Sequence, residues 1–168
     1  MAHSIDEIDS KILELLQTHG RMQRNTMAEN VGLSVSAVSE RMRKLEERGV
    51  ISGYHAEVDA KRLHFDITAF IRVTVDGSEY YDTFLDAACD MEEVLELHSI
   101  TGQGSHVMKV RTRNTTALER FLSRVQAIPG VSGTTTSIVL SSFKETGAVP
   151  VEPMELYDPE DEPASSLA

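Results

Sequence analysis

Along the first fifty residues the apolar positions recur with a helical period; beyond residue 66 they alternate with the period of a strand. Ile5, Ile8, Ile12, Leu15 and Leu16 line one side of a helix that ends near Gly20. Ser4-Ile5-Asp6-Glu7 precedes it with the spacing of a capping box, Ser4 and Glu7 each satisfying the other's backbone N–H. A shorter helix is expected over Asn25–Val31, burying Met27, Ala28 and Val31 and stopped by Gly32. A third is expected within Leu33–Ile51, where Val35, Val38, Met42 and Leu45 form the apolar stripe and Gly49 ends it. Helix, helix, short turn, helix in so few residues is the layout of a helix-turn-helix. Ile51–Val58 reads as extended chain around Gly53, a small wing.

The second pattern starts with Ile67, Ala69, Ile71, Val73 and Val75 alternating with Thr68, Phe70, Arg72 and Thr74. Tyr81, Phe84, Leu85 and Ala88 follow at helical spacing. Two strands, Val94–Thr101 and Val107–Thr112, flank the turn Gly102-Gln103-Gly104-Ser105. Thr116 to Glu119 has capping-box spacing before a helix that buries Leu118, Phe121, Leu122, Val125 and Ile128, and Ile128-Pro129-Gly130 stops it. Val131–Ser142 is a β-branched last strand. The order βαββαβ is that of a ferredoxin-like split unit, so the predicted class is α+β. Helices on one face of such a sheet leave the other open, with Thr68, Phe70 and Arg72 on it, a surface suited to dimerisation. The predicted organisation is a winged helix-turn-helix domain over 1–53, a linker over 54–65, a ferredoxin-like ligand-sensing and oligomerisation domain over 66–146, and an acidic disordered tail over 147–168.

Charge changes the picture only once it is located. The net charge of -11 opposes nucleic-acid binding at first sight. Residues 1–65, however, carry nine Lys/Arg against ten Asp/Glu, whereas residues 66–168 carry seven against seventeen. The first half is nearly neutral, with its basic residues concentrated at 41–48. From Gly147 onward there are six carboxylates, four of the five prolines and no basic residue, a composition that favours a solvated tail. No apolar run is long enough to span a bilayer and no signal-peptide core is present, so the cytoplasm is expected, with no membrane partner. The single cysteine, Cys89, excludes an internal disulfide framework and reads as a small buried hydrophobe.

The candidate chemistry sits on the third helix. Ser36, Glu40, Arg43 and Lys44 fall opposite its apolar stripe, with Ser39 and Arg41 on the flanks. Small hydroxyl residues let a helix approach a DNA major groove, and arginines reach bases or phosphates. Ser34, Ser36, Ser39, Arg41, Arg43 and Lys44 are therefore the candidate DNA contacts, Ser34 serving also as the helix cap. The alternative is an ordinary solvated face in which Glu40, Glu46 and Glu47 pair with those cations, and for Arg41 a role inside the domain is open. His98, His106 and Glu96 lie on neighbouring strands without compact metal-ligand spacing, so neither a metal nor a cofactor is expected. Thr134 and Thr136 share one side of the last strand, where they either line a ligand cleft or serve as good strand formers.

Several motifs resemble those of the Lrp/AsnC (leucine-responsive, feast/famine) transcription regulators. They are Ile8-Asp9-Ser10-Lys11-Ile12-Leu13, the Leu33-Ser34 entry to Arg41-Met42-Arg43-Lys44-Leu45-Glu46, and Gly49-Val50-Ile51-Ser52-Gly53-Tyr54. Further on come Thr101-Gly102-Gln103-Gly104 and Ile128-Pro129-Gly130-Val131, followed by Thr134-Thr135-Thr136. The resemblance covers roughly residues 4–145. It implies a DNA-binding head on a ligand-sensing ferredoxin-like domain, homodimers built through the sheets, and often octamers. It also implies an amino-acid effector near the glycine turn, with Thr101, Gly102, Gln103, Gly104, Ser105, Thr134 and Thr136 as candidate contacts. Where the family commonly has Asp-Tyr after that turn, this chain has Ser105-His106, and a serine offers an ammonium group only a neutral hydrogen bond.

The leading expectation is thus a sequence-specific regulator that binds a double-stranded operator and responds to an amino acid or similar small molecule. Two alternatives are a tetrapyrrole (sirohaem) decarboxylase-like enzyme of the same architecture, using histidines such as His55, His98 and His106, and a low-specificity architectural DNA-binding protein. The basic, hydroxyl-bearing third helix argues against the enzyme.

Overall fold

The computed structural model describes residues 4–156, and they form two compact units. One takes the chain up to Glu57 and again from Thr146; the other is Val58–Glu145. In the first, α1 (Glu7–Thr18), α2 (Arg24–Val31) and α3 (Val35–Glu47) pack their apolar stripes together. Ile12, Met27, Val38 and Leu45 are all but fully buried at the centre. Gly32 makes the tight α2–α3 turn possible, closing α2 in the left-handed conformation at φ 69°, which a side chain would strain. Val35, expected on the buried stripe, is 41% exposed, because it stands on the first turn of α3 before the helix reaches the core.

Four expectations change in this unit. The cap of α1 is Asp6, not Ser4: its Oδ1 accepts the Asp9 N–H at 2.8 Å, and Asp9 completes the box. Ser4 and Ile5 instead form β1, which pairs antiparallel with β6 (Met154–Glu155), Ser4 opposite Glu155 and Ile5 opposite Met154. Residues 51–58, read as a small wing, form no strand. The supposed disordered tail is ordered over 147–156. Gln17 exchanges two hydrogen bonds with the Val149 backbone, at 2.7 and 3.0 Å, and Val151 and Leu156 pack on the three-helix core. Only two of the tail's six acidic residues, Glu152 and Glu155, fall in this stretch, and its apolar residues meet an apolar surface. The remainder of the expected tail, 157–168, lies outside the described residues.

The second unit is a four-stranded antiparallel sheet in the order β3-β4-β2-β5, with β2 (Ile67–Val75), β3 (Val94–Ser99), β4 (His106–Thr112) and β5 (Val131–Ile138). The helices α4 (Tyr81–Cys89) and α5 (Thr115–Gln126) cover one face. Ala69, Ile71 and Val73 of β2 and Met108 and Val110 of β4 meet Phe84, Phe121 and Val125 in a single core. The opposite face carries Phe70 and Arg72, both exposed, as the alternation requires. Asn114, not Thr116, caps α5, accepting the Ala117 N–H at 2.9 Å. Cys89 is exposed rather than buried: one residue past Ala88, it is turned about 100° off the Phe84–Ala88 stripe. Strand β5 stops at Ile138, four residues short of the expected end. The chain beyond it leaves Leu140 93% and Phe143 98% exposed.

Candidate nucleic-acid interface

Helix α3 is presented by its own sequence. Ser34 precedes it in extended conformation and accepts the Ala37 N–H at 3.2 Å, while its hydroxyl lies 3.0 Å from that of Ser36. Val38, Met42 and Leu45 fasten the helix to the core, which leaves Ser36, Glu40, Arg43 and Lys44 in solvent. Ser39, on the flank, accepts a hydrogen bond from Arg24 at 3.3 Å. Five of the six expected contact residues therefore lie on or beside one accessible face.

The charges on that face are organised. Arg43 grips both oxygens of Glu40, at 3.0 and 2.8 Å, and also pairs with Glu47; Lys44 stands 3.6 Å from Glu40. Hydrogen bonds from Arg43 hold the Glu40 carboxyl below its ordinary range, and the Glu40 carboxylate in turn raises Arg43, so both stay charged. Arg41 behaves differently. Its guanidinium reaches Asp6 at 2.6 Å and Asp9 at 2.8 Å, tying α3 to the start of α1. Those two carboxylates, Asp9 foremost, raise the Arg41 pKa. Burial pushes the Asp6 carboxyl up, but the Asp9 backbone N–H and the Arg41 guanidinium outweigh it and leave the pKa lowered. The role inside the domain that the sequence left open for Arg41 is the one its contacts express.

The glycine turn in the other unit is a second candidate site. Gly102 and Gly104 both have left-handed φ, 99° and 82°, and a side chain on Gly104 would press on the Val73 carbonyl. Ser105 is consumed by the fold: its N–H and hydroxyl both donate to the Val73 carbonyl, at 2.9 and 3.2 Å, and its Oγ accepts the Val75 N–H at 3.0 Å. The imidazole of His106, 1% exposed, places Nδ1 at 2.9 Å from the same hydroxyl and lies between Tyr81 and Phe84. Its Nε2 has no hydrogen-bond partner among the described residues, and burial depresses its pKa. Thr101, Gly102 and Gln103 are exposed at the turn. Thr134 and Thr136 are not with them. Both register with Val73 and Ile71 from the far side of β2 and face the helices, where Thr134 accepts from Gln126 at 2.9 Å. His98 pairs across from Val107 on the open face, whereas His106 points into the core, so the two histidines diverge.

Comparison with known proteins accounts for both halves. Residues 5–52 match the model of a winged helix-turn-helix DNA-binding domain, and residues 68–149 that of the Lrp/AsnC ligand-binding domain. An HTH-type transcriptional regulator of Pyrococcus horikoshii is 38% identical over 148 residues, 88% of this chain and 97% of that protein. The chain belongs to the Lrp/AsnC family. An Escherichia coli DNA-binding transcriptional activator is 30% identical over 88% of this chain and 99% of its own length. Among solved structures, a Neisseria meningitidis transcriptional regulator in complex with L-methionine superposes with a TM-score of 0.83 at 28% identity, covering 86% of this chain and 96% of that one. A feast-or-famine regulatory protein of Mycobacterium tuberculosis complexed with L-methionine gives 0.82 at 32% identity, covering 88% and 99%.

This Lrp/AsnC protein is accordingly a DNA-binding transcriptional regulator and not an enzyme, which disposes of the tetrapyrrole alternative. Sequence reasoning passed over Arg24. It opens α2, and its guanidinium donates to the Ser39 hydroxyl beside α3. None of the described helices is long and apolar enough to cross a membrane.

Proposed function

We propose that Ser34, Ser36, Ser39, Arg43 and Lys44 form the surface that enters the operator, with Arg41 positioning it and Arg24 flanking it. The observation that carries this reading is the division of α3 itself: Val38, Met42 and Leu45 are locked in the core while hydroxyls and cations stand outward. A helix so held can deliver side chains to base edges without paying to order itself. Regulation acts where the chromosome is, in the cytoplasm, and the partner is double-stranded DNA. The operator is palindromic, bound by a homodimer formed through the open sheet face that carries Phe70, with octamers as the larger assembly.

The effector in this reading is an amino acid held at the exposed turn of Thr101, Gly102, Gln103 and Gly104, and no cofactor takes part. The L-methionine complexes of the Neisseria and Mycobacterium regulators support the ligand class. Because the Ser105 hydroxyl is spent on β2, the ammonium group is received by another acceptor than Ser105. The test is recovery of bound genomic DNA with and without an amino-acid panel, followed by anisotropy titrations on the recovered sites. A defined palindrome, bound with affinity that falls steeply with salt and shifts with one amino acid, is the expected result. Equal affinity for operator and random DNA would instead favour an architectural coat.

A further inference from the structure

The DNA-facing surface just assigned contains a carboxylate. Ser36, Glu40 and Arg43 succeed one another along one row of α3, at steps of four and three residues, so Glu40 stands at its centre. Duplex DNA carries about one negative charge per 1.7 Å of its axis, and an unsupported carboxylate there would be driven off. Glu40 is supported. Arg43 clasps both of its oxygens, at 3.0 and 2.8 Å, and Lys44 lies 3.6 Å from one of them. The carboxyl is thereby fixed in direction and kept ionised. The two hydrogen bonds from Arg43 leave part of its capacity free, since a carboxylate offers about four lone-pair sites. Ser36, one turn earlier and small, permits the close approach that a side chain as short as glutamate needs.

An acceptor at that position selects among base edges. In the major groove the exposed donors are the amines of cytosine and adenine. Adenine sets an N7 acceptor beside its amine, which repels a carboxylate, whereas cytosine presents its amine alone. We propose that Glu40 is a base-reading residue of this regulator, specifying a cytosine in each operator half-site, with Arg43 as the fork that aims it. The inference rests on the assignment of α3 as the DNA surface.

The test uses the full chain and a randomised duplex library, selected in parallel by the wild type, Glu40→Gln and Glu40→Ala, with single-position variants of the recovered site then titrated. Glu40 is solvent-exposed, so both variants retain the fold, which circular dichroism verifies. The wild type should require cytosine at one position per half-site, other bases costing about tenfold or more. Glu40→Gln should move that preference to adenine, whose N6/N7 edge suits an amide, and Glu40→Ala should lose it at that position alone. If both variants keep the wild-type site and only shift affinity equally on every sequence, the base-reading role is refuted while the DNA surface stands. If Ser36→Ala and Arg43→Ala also leave site and affinity untouched, the surface itself is misassigned and the proposal falls with it.

Discussion

Two side chains tie titratable chemistry to the stability of the fold. Arg41 spans from α3 to Asp6 and Asp9, and the Asp9 side chain is only 11% exposed. Removing the arginine strands two neighbouring carboxylates, so Arg41→Ala should destabilise the helical unit by about 1–2 kcal/mol, less than a fully buried pair because water reaches Asp6. Thermal melting checks it, and DNA affinity should fall alike on all sequences; unchanged stability with lost affinity would make Arg41 a DNA contact. His106 is the second case. Burial lowers its folded pKa below that of the unfolded chain, about 6.5, so the unfolded state binds the proton first. Stability of the sensing unit should therefore be unaffected above that pH and decline as pH falls from about 6.5 toward the folded value. His106→Phe should abolish this component in melts between about pH 7 and 5. The lowered carboxyls of Asp6, Glu40 and Glu145 lose their contributions in a separate, more acid window. An unchanged slope in the variant would assign the effect elsewhere.

At the scale of elements, legibility follows the distance between partners along the chain. The amphipathic helices, the β2 alternation and the Glu40–Arg43–Glu47 pairs could be read directly, because their partners are three or four residues apart or repeat at a fixed period. Both capping boxes were misplaced because an S/T-x-x-E spacing says nothing of a better acceptor nearby, and Asp6 and Asn114 each stood within two residues. The Arg41 clasp bridges more than thirty residues and left no local trace. Strand β6 was the least visible: two residues long, set among prolines and acids, and paired with residues at the other end of the chain. It lies beyond the 68–149 match to the ligand-binding domain. Its ladder covers Ile5, and Val151 and Leu156 add apolar contact, so ending the chain at Glu145 should cost the helical unit about 1–3 kcal/mol. Calorimetry should show only that unit melting earlier, with operator binding retained below its new midpoint. An unaltered transition would mean that the segment contributes nothing to stability.

For the whole molecule the decisive surface is the one that a single chain leaves wet. Leu140 and Phe143 follow β5 with almost their entire side chains in water, and Phe70 on the open sheet face is 43% exposed. The same segment is not loose at its end, because Glu145 pairs with Lys109 and lies 3.7 Å from Arg111 on the open face of β4. Tethered apolar side chains of this size gain about 1.5–3 kcal/mol each when buried. A two-fold interface counts each of them twice, since the same patch serves both subunits. In the homodimer proposed above, the double variant Leu140→Ser/Phe143→Ser should therefore raise the dissociation constant more than tenfold, read by sedimentation velocity across protein concentration. Its operator affinity should fall toward that for an isolated half-site, because a reading head no longer brings its twin to the second one. The His106 pH response should persist, since that residue sits in the core of one sensing unit. A variant that sediments as the wild type does would remove these two residues from the interface and leave the sheet face around Phe70 to be tested in their place.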